Sequence, residues 1–467
     1  MSVKTYQDFI NSKSSVNAFV LDAIKEHKAS EMYMTAKTAD LYDHQKNELI
    51  NNYVQKMFTA SGHQLQDFTA SNNKIASNYF RRLNTQRCAY SLGNGVSFVN
   101  PYGNDTTDRT GEDTTKEKLG ATFDHDIYKA GYKALIHGVS FCFWNLNRVH
   151  VFPLTEFVPL WDEDDGTLKA GIRFWRLNYD SPLKAVLYEI DGYTKFSAKD
   201  SDDSFLEITD EKRAYKLKTR YVPADGTEEV IGEENYSSLP IVPLWGSDLK
   251  QSTLVGIKES IDSYDLIRSG FANDLSDCAE IYWLVENAGG MTDKELEKFR
   301  NLLKITHIAN VDSDDGGKVN PYTQDIPYQA RKEYLDMIRA GLYEDFGGLD
   351  VHTIAAGATN DHIDAAYQPL NENADDFEYQ VTECIQQLLS LQGIEDTPIY
   401  TRNRVSNQKE QVEMVAMEAP YLNKETILRK LPNITPDEVN SILAQDETEG
   451  MDTFNETEEP EETEEVE

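Results

Sequence analysis

Apolar residues recur in steps of three and four along both ends of this chain and in steps of two through its middle, so helices are expected to flank a strand-rich centre. The longest helical pattern covers residues 252–280. Its apolar stripe is Leu254, Ile257, Ile261, Tyr264, Ile267, Phe271, Leu275 and Cys278, and the opposite face carries Glu259, Asp262, Ser269, Asn273, Asp277 and Glu280. At 1.5 Å per residue it predicts a helix of roughly 40 Å. A second long helix is predicted over 326–346, with Leu335, Ile338, Leu342 and Phe346 on one face and Glu333, Asp336, Ala340 and Glu344 on the other. A third, over 365–392, turns Phe377, Val381, Cys384, Ile385 and Leu388 inward, with Pro369 expected to bend or restart it.

Shorter patterns fill the rest. Residues 15–66 read as mostly helical and polar, 72–92 as a helix stopped by Gly93, and 114–137 as a helix closed by Gly138. From 139 to 222, strands punctuated by turns at Asp164-Asp165-Gly166 and Asp191-Gly192, and followed by a third turn at Asp225-Gly226, predict an antiparallel meander. A proline-bracketed strand, 239–244, leads into the first long helix. Between the two long helices, strands at 281–285 and 307–311 enclose a short helix opened by Thr292 and Glu295, a small αβ insertion. Residues 351–361 hold three alanines and Gly357 and read as a mobile loop. Two or three helices follow residue 400, the last opened by Thr435-Pro436-Asp437-Glu438. No internal repeat is evident.

Composition narrows the function. The 467 residues suffice for roughly two to four domains, and 39% hydrophobic content with 25 tyrosines indicates a folded protein. The net charge is −36; residues 446–467 contribute twelve acids and no base, an acidic tail expected to be disordered, and leave −24 for the rest. Such a chain has no general attraction for nucleic acid and would guide DNA loosely if it meets it. The ordinary consequence of the charge is solubility and control of self-association. Cys88, Cys142, Cys278 and Cys384 stand far apart with no CxxC, which fits buried thiols in a reducing cytoplasm. The N-terminus lacks an apolar segment of signal-peptide type, and the apolar runs are too short to cross a membrane.

No catalytic constellation emerges, and no cofactor or metal site is assigned. The nine histidines are scattered, without HExxH, GxSxG or a P-loop. His352, His362, Asp361 and Asp364 lie near a common loop, but histidines ten residues apart are usually unrelated. Asp312 to Gly317 has its glycine too early for a calcium loop and reads as a surface turn. Asp162-Glu163-Asp164-Asp165 reads as a solvated hairpin tip. The pairing of the two long helices is more informative. Each has one apolar stripe and only one neighbour in its own chain, so Ile257, Ile261, Tyr264, Phe271, Leu335, Ile338 and Leu342 are candidates for packing between subunits. A ring of such subunits would line its hole with one repeated face. Glu259, Asp262, Asn273, Asp277, Glu333, Asp336 and Glu344 are the candidate lining, where carboxylates would keep phosphates from sticking.

The sequence also resembles a known family, the portal proteins of tailed bacteriophages, of the type common in long-tailed phages of Gram-positive hosts. The resemblance covers residues 17–445. It rests on Cys88-Ala89-Tyr90-Ser91-Leu92-Gly93, on Ala134-Leu135-Ile136-His137-Gly138-Val139-Ser140-Phe141, on Leu239-Pro240-Ile241-Val242-Pro243 followed by Ile261-Asp262-Ser263-Tyr264-Asp265, and on Leu422 to Leu428 with Leu431-Pro432-Asn433-Ile434. Asn360-Asp361-His362-Ile363 replaces the Ser-Gly common at the start of the family's long helix, and Asn423 stands where a serine is usual. The resemblance implies an α+β, mainly helical portal fold: a β-rich wing (1–245), a first stem helix (246–280), a small αβ clip (281–325), a second stem helix (326–346), a tunnel loop (347–364) with His352, Thr353, Gly357, Thr359 and Asn360, and a long wing helix with a helical crown (365–445). It further implies a structural protein without enzymatic activity, a homo-oligomeric ring of typically twelve subunits at one vertex of the capsid in the virion, assembled in the host cytoplasm. Double-stranded DNA would pass through it for packaging and ejection, with terminase, a head-tail adaptor, and the major capsid and scaffolding proteins as partners and no membrane. The competing classes are a metal-dependent hydrolase using clustered Asp and His, and an acidic scaffold or adaptor module.

Overall fold

The computed structural model describes residues 3–12, 15–58, 63–68, 70–102, 106, 114–178, 180–198, 206–222, 227–277, 282–286, 292, 294, 318–322, 327–354, 359–404, 408–431 and 442. The chain divides into two units, Met1–Gly348 with Ala374–Thr401, and Leu349–Asn373 with Arg402–Glu467.

The first unit begins with helices α1 (Tyr6–Asn11), α2 (Val16–Lys28), α3 (Glu31–Asp43) and α4 (Glu48–Asn52), then a hairpin of β1 (Lys56–Phe58) and β2 (Gln64–Gln66). Thr5 caps α1 with a reciprocal capping box and Ser30 caps α3, as short polar side chains do for the free amides of a first turn. Helix α5 (Tyr79–Leu92) and strand β3 (Val96–Val99) follow. The pattern over 114–137 divides into α6 (Thr114–Leu119) and α7 (Phe123–His137), because Gly120 takes φ +90° between them. Gly138, at φ +89°, converts α7 into strand β4 (Val139–Asn145). A Cβ there would also stand 2.9 Å from the backbone of Gln251, so the junction needs glycine twice over.

Strand β4 is the centre of a three-stranded antiparallel sheet, flanked by β5 (Arg148–Pro153) and, after the meander, by β13 (Ile241–Trp245). Residues 139–144 are all buried, which accounts for a continuous apolar run where alternation would mark a one-sided strand. Pro243 is tolerated because β13 is an edge. The core here joins α7 (Ile127, Ala130, Ala134) to Phe377, Val381, Cys384 and Leu388 of a later helix. The predicted meander is a five-stranded sheet in sequence order: β6 (Phe157–Trp161), β7 (Leu168–Trp175), β8 (Lys184–Glu189), β9 (Gly192–Ala198) and β10 (Leu206–Arg213). Phe9, Phe19, Val20 and Ile24 of α1 and α2 cover it. Strands β11 (Lys216–Val222) and β12 (Thr227–Glu234) pair separately.

The first long helix is α8 (Lys258–Asp277), which starts six residues later than predicted, while the predicted residues 278–280 lie outside the described residues. Its expected first turns are irregular because Ser252 Oγ donates to the Ile136 carbonyl (2.5 Å), the Thr253 amide donates to the Leu135 carbonyl (3.0 Å), and Gly256 takes φ +96°. Beyond it, β14 (Tyr282–Glu286) pairs with β15 (Lys318–Tyr322), a strand unforeseen because Pro321 argues against one. The predicted helix at 292–303, apart from residues 292 and 294, and the predicted strand at 307–311 lie outside the described residues, as do 435–438 and 446–467. The second long helix, α9 (Tyr328–Phe346), ends at Gly347 in the left-handed conformation (φ 64°). Helix α10 (Asn360–Ser390) starts five residues earlier than expected and runs through Pro369, which forgoes one backbone hydrogen bond. Strand β16 (Thr397–Tyr400) pairs with β3.

The second unit holds residues 351–353 as a single 3-10 turn, the first part of α10, α11 (Gln408–Glu418) and α12 (Lys424–Lys430). Arg404 pairs with Asp364 and stands 5.1 Å from the ring centre of Tyr367. Asn423 caps α12 by accepting from the Thr426 amide (2.9 Å).

Candidate assembly surfaces on the two long helices

Helices α8 and α9 run against each other, with Ile261 and Leu342 in one core and Asp274 paired to Arg331 further along. The Arg331 guanidinium also stands 5.8 Å from the centre of the Phe271 ring. The near half of the pair is built into the first unit: Leu254, Ile257, Ile261, Leu342, Tyr343 and Phe346 pack with Ala39, Tyr42, Phe80, Leu83 and Ile136 from α3, α5 and α7. This corrects the expectation that Ile257, Ile261 and Leu342 pack between subunits. Ile257, Ile261 and Leu342 are fully covered by their own chain, because α3, α5 and α7 supply the partners that the sequence pattern did not reveal. Tyr264, Phe271, Leu335 and Ile338 are half-buried. In the far half, Leu275 (54% exposed) and Met337 (62% exposed) stand open with Tyr328 and Tyr334.

The polar face of α8 departs further from expectation. Asp262 (7% exposed) accepts from the hydroxyl of Tyr42 and from Lys258 Nζ (2.7 Å), which neutralises it inside the protein. Asp265, fully buried, accepts from Asn47 Nδ2 and from the amide of Ser77 (2.8 Å). One turn on, the Ser269 hydroxyl accepts from the Ile75 amide (3.0 Å), and Asn273 Oδ1 accepts from the Asn73 amide (2.6 Å). Residues 71–78, predicted to be the first part of a helix, are thus an extended strap laid along α8. The strap is polar and its amides find acceptors on α8, while α5 begins only at Tyr79. Gln45 Nε2, Asn47 Nδ2 and Lys74 Nζ tie it from the other side, through the carbonyls of Ala76 (2.7 Å), Ser77 (3.1 Å) and Asn51 (2.6 Å). Asp262 and Asn273 are therefore removed from the candidate channel lining, since both side chains are buried within their own chain. Of the others, Glu259, Glu333, Asp336 and Glu344 are exposed, and the side chain of Asp277 lies outside the described residues.

Burial raises the Asp265 carboxyl above its ordinary range against the opposing pull of the Asn47 and Ser77 donors. Burial likewise raises the Tyr42 phenol, reinforced by its bond to Asp262. In the sequence Asp265 stands out only as the last residue of the Ile261-Asp262-Ser263-Tyr264-Asp265 pattern, with no role attached; the signal for its role is its place four residues before Ser269 and eight before Asn273 on one helix face.

The tunnel-loop candidates are only partly brought together. His352 is exposed and its amide donates to Asp350 (3.1 Å), while Thr359 Oγ1 accepts from the His362 amide (3.4 Å) at the start of α10, beside Asn360. Gly357 and the side chain of Thr353 lie outside the described residues. Among the described residues, no three His, Cys, Asp or Glu side chains gather as a metal would require. Asp162 and Asp165 close the predicted hairpin tip through the Asp164 and Thr167 amides (2.9 and 2.8 Å). Cys88, Cys142 and Cys384 are free and buried, as expected for Cys384 on its helix stripe and Cys142 within its strand. Among the described residues no helix is long and apolar enough to cross a membrane.

Known proteins include relatives of this chain. Residues 21–451 match the family described as phage portal protein, SPP1 Gp6-like. The portal protein of Bacillus phage SPP1 is 22% identical over 463 residues, covering 89% of this chain and 86% of that protein. The portal protein of Clostridium phage phiCD119 is 28% identical over 240 residues, 49% of this chain and 53% of that protein, so the chain spans about half the length of that relative. Among solved structures, the neck of a native GTA particle computed with C12 symmetry aligns over 75% of this chain and 88% of that one, with 9% identity and a TM-score of 0.36. The chain belongs to the phage portal protein family of the SPP1 Gp6-like type.

Proposed function

We propose that this protein is the channel of a phage head: a homo-oligomeric ring at one capsid vertex, through which double-stranded DNA is packaged and later ejected. The observation that carries this reading is the family match over residues 21–451, a family of structural capsid components rather than enzymes. The local structure is in keeping with it. The near half of the helix pair is anchored in its own unit, and the far half leaves Leu275, Tyr334 and Met337 for a neighbouring copy. Within this reading α8 and α9 are the stem, with 281–325 as the clip and 347–364 as the tunnel loop, while Glu259, Glu333, Asp336 and Glu344 present carboxylates to the hole. Carboxylates there keep the phosphate backbone from adhering, so DNA slides instead of binding. Twelve subunits, terminase and a head-tail adaptor as docking partners, contacts with major capsid and scaffolding proteins, and assembly in the host cytoplasm complete the proposal. Negative-stain imaging of the purified protein tests it: rings with a central hole and a mass of several hundred kilodaltons are expected. A monodisperse monomer under every condition would overturn it.

A further inference from the structure

One concave patch contradicts the charge of the rest of the molecule. Acids outnumber Lys and Arg 81 to 45 in the chain. Yet a cavity of about 420 Å³ at the start of α5, walled by Arg81, Arg82, Arg268, Tyr79, Tyr264 and Thr85, has no carboxylate on its wall. Two other cavities of comparable size do carry acids, Asp8 and Asp22 in one and Glu48 in the other. The three arginines are exposed, and among the described residues none of them forms an ion pair with a carboxylate. Arg82 stands 5.9 Å from the ring centre of Tyr343, and Tyr79 packs edge-on against both Tyr264 (5.1 Å) and Tyr343 (6.3 Å), so the charges are gathered over a tyrosine cluster.

Three unpaired cations around one concavity repel each other, a cost that an anion seated among them removes. The planar fork of a guanidinium matches the oxygens of a phosphate, and several forks at once exceed what one carboxylate accepts. Asn78 leaves the first turn of α5 without a side-chain cap, so backbone amides add donors beside the arginines. Tyrosine faces among arginines are the mixture that accompanies nucleotides.

We propose that this pocket binds a phosphate of the nucleic-acid backbone, a local grip on a molecule that otherwise repels DNA. It rests on the reading that DNA passes this protein. The test uses the full-length assembled protein, with fluorescence anisotropy of a short mixed-sequence DNA duplex and thermal melting in inorganic phosphate against chloride at matched ionic strength. The variants are R81Q/R82Q/R268Q and R81K/R82K/R268K. The Gln triple is expected to lose about tenfold or more in DNA affinity at roughly 50 mM salt and to flatten the salt dependence by about two to three charges. The Lys triple should keep most of that dependence, because it keeps the charge. Phosphate should raise the melting temperature of the parent but not of the Gln triple.

Equal DNA affinity in parent and Gln triple overturns the proposal. If phosphate still stabilises only the parent in that case, the site serves free phosphate instead. Loss of rings in the Gln triple, with DNA binding per remaining ring unchanged, would overturn it in favour of arginines that pair with a neighbour's carboxylates. Parent rings that show no phosphate or duplex effect sink the pocket and leave the channel reading standing.

Discussion

Asp265 sits where two parts of the first unit meet, and its carboxylate serves donors that have no water to turn to. Asp265→Ala leaves one N–H of the Asn47 side chain and the Ser77 backbone amide without an acceptor and should cost about 2–4 kcal/mol, read as a fall of several degrees in melting temperature. Asp265→Asn keeps one acceptor and should cost less. The sign with pH follows from the raised carboxyl. In the folded chain Asp265 takes up a proton at higher pH than in the unfolded chain, so this residue adds stability as pH falls through its folded value and withdraws it as pH rises. The parent should therefore gain on Asp265→Asn in moderate acid; a gap that stays constant with pH would refute the assignment. None of this was legible from residue type. The stem pattern placed Asp262 and Asn273 on a polar face, and a polar face reads as solvated until the segment that covers it is known. That segment, 71–78, lies nearly two hundred residues away in the chain.

Elements with strong local signals follow the sequence closely: α7 to Gly138, β4 from Val139, the turns at Asp164-Asp165-Gly166 and Asp191-Gly192, and α9 to Phe346, while the turn expected at Asp225-Gly226 lies outside the described residues. Two of the misreadings share one cause, a backbone satisfied by a distant partner. Residues 72–78 are extended because α8 accepts their amides, and residues 252–257 are irregular because the end of α7 does. The stripe of α8 likewise has two roles that its periodicity cannot separate. Leu275→Lys combined with Met337→Glu alters only open surface and should leave the melting of the dissociated chain within about 0.5 kcal/mol while dissolving the ring. Ile261→Asp places a charge in a closed core and should instead unfold the chain before assembly is at issue. Sedimentation and melting of the two variants separate these outcomes; an assembled Leu275/Met337 variant would remove the far half of the helix pair from the proposed subunit interface.

For the whole molecule, charge sets the terms of assembly. Copies that each carry −36 repel one another, and salt screens that repulsion within a Debye length of about 10 Å at 0.1 M. Raising salt from about 50 to 500 mM should therefore favour the ring in mass photometry while weakening any grip on DNA. Dissociation on adding salt would mean that ion pairs, not apolar contacts, hold the subunits together. The strap bears on that geometry too. Its bonding amides come from Asn73, Ile75 and Ser77, every second residue, and meet Asn273, Ser269 and Asp265, every fourth residue of α8 in the opposite direction. Two residues of extended chain advance about 6.7 Å and four residues of helix about 6.0 Å, so the two scales slip by less than 1 Å per step. They act as a vernier, matched over three marks and drifting out of register beyond them. A vernier reads angle as well as length: a turn of α8 about its own axis would carry all three acceptors off their marks at once. The strap thereby sets the azimuth of α8 and, in the proposed ring, which side chains each subunit offers the next.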